Sequence, residues 1–148
     1  VIVHDDFVWE SGPFMNLDIY RNLLIPCYRR LFEIVHEAGK MVLFCSDGDF
    51  REFIEGIVEA GADGLIVEPV NFEFLAENFA PEVCIIGSCV DCRDLAAGDW
   101  EKVRSDIDRS LELFEKVRGG IFAVGNHLAP DIPPEMLTRF FDYLLPRL

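Results

Sequence analysis

Polar residues able to do chemistry stand in short clusters, each directly behind an apolar run: His4, Asp5 and Asp6; Cys45, Ser46 and Asp47; Glu68; Cys89, Asp91 and Cys92; Asn126 and His127. Carboxylates gathered in one place discourage one another's ionisation, so one can stay protonated near neutrality and serve as a general acid. Asp6, Asp47, Glu68 and Asp91, with the imidazole of His127, are the candidate catalytic groups for such work. Cys45, Asp47 and His127 form the candidate metal set, of types that suit zinc or another divalent ion. Cys89-x-x-Cys92 has a spacing seen in zinc sites. It lacks the second close pair of a structural zinc site and the thioredoxin-like context of a redox motif. Asp5, Trp9, Phe14 and Asn126 are the candidate substrate-binding residues, with Trp9 and Phe14 as an apolar wall over a ligand or, equally, as packing against helices. Any single polar residue here could simply cap a helix or satisfy loop backbone. Five clusters in the same relation to five apolar runs fit that explanation less well.

The elements that must position these groups are strands alternating with helices. The apolar runs VIV at 1–3, MVLF at 41–44, GLIV at 64–67, VCIIG at 83–87 and GIFAVG at 120–125 read as strands covered on both faces. Asn16 or Asp18 can cap a first helical stretch. Pro26 opens a second, with Leu31, Phe32, Val35 and Ala38 as its apolar face and Gly39 as its stop. Asp49 caps Phe50 to Ala60, and a short helix runs from Phe72 to Asn78. The longest helix follows Asp99 through Val103, Ile107, Leu111, Phe114 and Val117, and Pro133-Pro134-Glu135 opens a terminal helix through Met136, Phe140, Phe141 and Leu144. Residues 1–148 read as one domain with no linker.

Composition narrows the functional classes. The chain has 148 residues, 51% of them hydrophobic, and a formal charge of −14. That charge repels nucleic acid and anionic membranes, so neither is an expected partner. No apolar run approaches the roughly 18 residues that span a bilayer, and the opening VIVHDDF lacks the form of a signal peptide. Five cysteines, an odd number, suit reduced thiols in a cytoplasm, with Cys27 and Cys84 expected in the core and no structural disulfide. His36 reads as a surface or helix-end residue.

Five βα units fit either a five-stranded doubly wound parallel sheet or most of a (β/α)8 TIM barrel, and periodicity does not choose between them. The segment HDDFVWESGPFMNLDIYRNLLIPCYRRLFEIVHEAGKMVLFCSDGD resembles the middle of the uroporphyrinogen decarboxylase and corrinoid-dependent methyltransferase superfamily. Its acidic pair, the GPFM loop, the helix opening at Pro26 and the SDG strand end occur in the family's order. So do VEP at 67–69, the strand end Gly87 to Asp91 with Leu95 and Gly98 behind it, and APDIPPE at 129–135. The resemblance implies a TIM barrel, with this chain supplying about strands four to eight and their helices. A chain that starts inside a strand, and polar residues at several strand ends instead of at one switch point, agree with that expectation.

The superfamily's two chemistries imply different residues. Its zinc methyltransferases use a His-x-Cys pair and a later Cys, and the matching positions here hold Cys45 and Asp47, then Asn126 beside His127. Its decarboxylases carry GHG on the last strand, and Gly125-Asn126-His127 places the histidine one position later. The acidic strand ends disfavour a polyanionic porphyrinogen, which needs converging Arg and Lys, and only Arg51 and Arg93 stand close by in sequence. The expected function is therefore methyl transfer between a small methylated compound and a corrinoid protein or related acceptor. Tetrapyrrole decarboxylation and a non-catalytic binding or scaffold barrel are the alternatives. The expected structural partner is the N-terminal half of the barrel or a further copy of the chain.

Overall fold

A computed structural model describes residues 1–9, 12–125 and 127–148. From the N-terminus, β1 (Ile2–His4) leads into a small antiparallel hairpin, β2 (Val8–Trp9) and β3 (Gly12–Pro13). A continuous helical stretch follows, made of α1 (Leu17–Ile19), a wider π turn (Tyr20–Leu24) and α2 (Ile25–Glu37). Then come β4 (Leu43–Cys45), α3 (Arg51–Glu59), β5 (Gly64–Ile66), α4 (Pro69–Asn78), β6 (Cys84–Gly87), α5 (Cys92–Ala97), α6 (Trp100–Phe114), β7 (Gly120–Phe122) and α7 (Pro134–Leu144).

The main sheet is parallel and five-stranded, in the order β1-β4-β5-β6-β7, so each strand lies beside the next one in the sheet's chain order. A doubly wound sheet reverses its order at a switch point and carries helices on both faces. Here there is no reversal, and the two faces are covered unequally. Val3, Phe44, Leu65 and Ile85 stand in register across four strands. Phe44, Leu65 and Ile85 are fully buried and pack with Phe32, Phe53, Ile57, Phe72 and Leu75 from the helices. The next row, Cys45, Ile66, Ile86 and Ile121, faces the other way, and Ile121 is 56% exposed. On this second face Cys45, Ile66 and Ile86 are half-buried, less covered than the first. A parallel sheet in sequential strand order with helices between the strands is the arrangement repeated around a (β/α)8 barrel.

Several local expectations also change. Cys27 is exposed, because the buried stripe of α2 is Ile25, Tyr28, Phe32 and Val35 and Cys27 lies off it. Cys84 is half-buried, and Leu31, Ala38 and Phe141 are exposed for the same geometric reason. The cysteines are free. Pro69 opens α4 three residues earlier than Phe72, as a proline in the first helical turn can. Asp49 accepts from the Arg51 amide at 3.4 Å, while Phe50 occupies the cap position of α3. No helix of the described residues is long and apolar enough to cross a membrane.

Candidate functional site

At the end of β1 the chain is pinned by Phe7, which is fully buried. Its ring stacks on Phe44 at 5.5 Å and meets Tyr20 edge-on at 5.1 Å. Each such pair adds about 1 kcal/mol beyond burial alone. With Phe7 fixed below, the preceding acids diverge. Asp5 accepts a short hydrogen bond from the Tyr28 hydroxyl. Burial, then that bond and the aspartate charge, push the Tyr28 phenol well above its ordinary value. Asp5 is therefore tied to the helix layer. Asp6 turns the other way, where its Oδ1 lies 3.1 Å from His4 Nε2 and accepts from the Asp47 amide at 3.0 Å.

The β4 end is shaped by Gly48 and Asn71. Gly48 has φ +73°, and a Cβ there would come within 2.5 Å of Val8 Cγ2 on the hairpin. Only glycine combines that backbone with that contact. Asn71, fully buried on α4, donates to the Gly48 carbonyl at 2.6 Å and accepts from the Phe50 amide at 3.2 Å. One side chain thus clamps both sides of the turn that follows Asp47.

Glu68 precedes α4, and the electrostatic field of its carboxylate reaches Arg93. Asp91 caps α5, accepting from the Arg93 amide at 2.8 Å and from the Arg93 guanidinium Nε at 2.9 Å. The guanidinium holds the Asp91 carboxyl below the usual range, against the opposing effect of burial. Two buried serines brace this loop. Ser88 donates to the Ala123 carbonyl at 2.7 Å, and Ser110 accepts from the Cys89 amide at 2.8 Å. Past β7 the chain continues beside the same loop, with Gly125 bridging to Asp91. A Cβ at Gly125 would fall 2.2 Å from Pro69 Cδ, so the close approach requires glycine. His127 is exposed just beyond, and Asn126 lies outside the described residues.

These contacts decide the character of the strand ends. Two arginines flank them, and each closes on the aspartate two residues before it: Arg51 on Asp49 and Arg93 on Asp91. Each cation is thus partly neutralised by its own neighbour, although the Arg93 side chain stays 81% exposed. His4, Asp6 and Asp47 offer ligand atoms that all lie within 4.8 Å of one another, a separation one divalent ion can bridge. Among the described residues Cys45, Asp47 and His127 do not form such a group. Burial, then the charges of Asp47, Asp6 and Glu68, pushes the Cys45 thiol upward. The donors that do converge are one imidazole and two carboxylates, a harder set than the thiolates of the family's zinc branch.

Of the residues singled out from sequence, Asp6 and Asp47 meet through the Asp47 amide, with Cys45 and Glu68 within electrostatic reach. Asp5 is turned toward Tyr28, and Asp91 is occupied as a helix cap. Trp9 and Phe14 pack on each other at 6.4 Å on the hairpin, and Trp9 lines a groove with Asp49, Glu52 and Phe53 instead of joining the His4 group. Asn71 was not foreseen. Reading Pro69 as a helix opener would have placed it in the first turn of α4, over the β4 loop.

Parallel strands whose C-terminal ends gather an imidazole and carboxylates define a class, the α/β proteins that work at that end of the sheet. Within that class the chain belongs to the uroporphyrinogen decarboxylase family: the sequence profile described as Uroporphyrinogen decarboxylase (URO-D) matches residues 1–144. No curated protein matches it.

Proposed function

We propose that this protein is a uroporphyrinogen decarboxylase-like enzyme that transfers a methyl group from a small methylated compound to a corrinoid protein or related acceptor. The observation that carries this reading is the charge at the strand ends. Acids and an imidazole converge there, while Arg51 and Arg93 are each engaged by their own aspartate. A porphyrinogen rich in carboxylates would be repelled, whereas a neutral or cationic methyl donor would not.

In the transfer, the donor's carbon to oxygen or nitrogen bond breaks as the acceptor's electron pair bonds the methyl carbon. The leaving atom takes a proton, since the bare anion is too basic to depart. The His4 and Asp6 side chains, hydrogen-bonded at 3.1 Å, stand as the proton source, and the Asp47 amide fixes the carboxylate's orientation. A divalent ion, if used, would be held by His4, Asp6 and Asp47 and would supply Lewis-acid polarisation of the leaving oxygen. Glu68 and His127 complete the rim.

The same reading covers the architecture. The chain forms an arc of a TIM barrel, about strands four to eight, closed by further βα units. Three features support this: the strand order without reversal, the half-buried second face, and apolar surface at both flanks. On one flank Ile19, Leu23, Leu31 and Ile34 are exposed along the α1 to α2 stretch, and on the other Ile121, Leu128, Phe141 and Leu145 are exposed.

Single-turnover methylation of cob(I)alamin, followed by the loss of its visible absorption, tests the assignment. With methyl ethers or methylamines as donors, the wild type should react. Asp6→Asn and Asp47→Asn should lose at least tenfold in rate, within the roughly 10²–10⁴-fold that positioned acid–base groups supply. Equal rates in both variants would remove these residues from the chemistry.

A further inference from the structure

A second site lies away from the His4 group. The β2–β3 hairpin, α3 and α4 enclose a groove of about 680 Å³. That size falls within the roughly 300–1,000 Å³ of small-molecule pockets. Trp9 forms one wall and is 67% exposed, Phe53 is buried behind it, and Phe74 comes from α4. Asp49, Arg51 and Glu52 supply the charge. Arg51 is spent on Asp49, to which its Nε donates at 2.7 Å. Among the described lining residues, the carboxylate of Glu52 is then the remaining charge in a groove that Trp9 also lines.

The molecule also contains a filled version of this arrangement. At Trp100, the Arg139 guanidinium lies 4.2 Å over the indole, in a cleft shared with Asp142. Among the described residues no guanidinium or ammonium lies over Trp9, because the neighbouring arginine has turned to Asp49 instead. An indole face beside a carboxylate attracts a compact cation with an apolar surface. A flat polyanion or a neutral hydrocarbon gains less from the same walls.

We infer that this groove binds a small organic cation of the methylated ammonium type, with Trp9 as its aromatic face and Glu52 as its counter-charge. The site is independent of the methyl-transfer reading, since it uses none of His4, Asp6 or Asp47.

The test is ligand-observed saturation-transfer NMR on the whole protein with tetramethylammonium chloride. Neopentyl alcohol, a neutral compound of the same shape, serves as the control at equal ionic strength. Tetramethylammonium should show saturable transfer, and neopentyl alcohol should bind several-fold more weakly. Trp9→Leu should abolish the signal. Glu52→Gln should weaken binding roughly threefold to fivefold, as befits an exposed cation–π contact with a nearby carboxylate. Both residues are on the surface, and unchanged circular dichroism would confirm that the variants fold. Equal binding of the two compounds, or a signal that survives Trp9→Leu, would overturn the inference.

Discussion

Replacing Asn71 with alanine removes both hydrogen bonds of the clamp over the Asp47 turn, and its cost follows from burial. The Phe50 amide lies in a buried setting and would lose its acceptor at 3.2 Å; an orphaned buried donor costs about 1–3 kcal/mol. The Gly48 carbonyl is partly buried, so water can replace the 2.6 Å bond in part, at a cost of about 1 kcal/mol. Together these give about 2–4 kcal/mol. At a urea slope of roughly 2 kcal/mol/M, the unfolding midpoint should fall by about 1–2 M. Asn78 on the same helix is the control: its side chain donates to the Phe74 carbonyl at 2.7 Å but is exposed, and Asn78→Ala should change stability by no more than about 0.5 kcal/mol. An Asn71→Ala midpoint within about 0.3 M of wild type, below the resolution expected for a lost clamp, would refute the assignment of this residue as the holder of the turn.

Gly48→Ala should destabilise by about 2 kcal/mol or more, since it combines a left-handed backbone with a 2.5 Å approach to Val8; thermal melts would show it, and an unchanged melting temperature would mean the hairpin shifts freely. Ser110→Ala leaves the Cys89 amide without its 2.8 Å acceptor and should cost about 1–2 kcal/mol in urea unfolding. For Asp91 the folded carboxyl sits below its unfolded value, near 3.9, chiefly because of Arg93. Its contribution is therefore complete above about pH 4 and is lost as pH falls through the lower folded value. Asp91→Asn should be less stable than wild type at neutral pH and converge with it in acid, and parallel curves at every pH would contradict this. If further βα units close the barrel, backbone amides of β1 and β7 in the complete protein should exchange with deuterium as slowly as those of β5, whereas fast exchange at both edges would mean that they stay unpaired.

The alternation of strands and helices was readable because each strand is a short apolar run bounded by polar residues. What escaped was too short or too dependent on neighbours to leave a periodic trace. The hairpin has two residues per strand, and α5 is a helix of six residues with Leu95 as its one buried position. Cys27 and Leu31 were misplaced because the helix carries two apolar stripes, and periodicity does not say which one meets the sheet. The strand-end clusters could be read as groups, but their membership depends on register. Pairing of His4 with Cys45 puts the residues two further along, Asp6 and Asp47, side by side across the sheet's end. His127 lies beyond β7, three strands from β4 across the sheet, and does not group with Cys45 and Asp47 among the described residues.

Reaction type is the most direct test of the central claim. The complete protein would be given uroporphyrinogen in one arm, with release of carbon dioxide measured. In the other arm it would receive a methyl ether or methylamine together with cob(I)alamin, with methylcobalamin measured by mass spectrometry. Methylcobalamin formation without carbon dioxide release is the expected result. Carbon dioxide from uroporphyrinogen, with no methylcobalamin from any donor, would contradict it and assign the protein to decarboxylation.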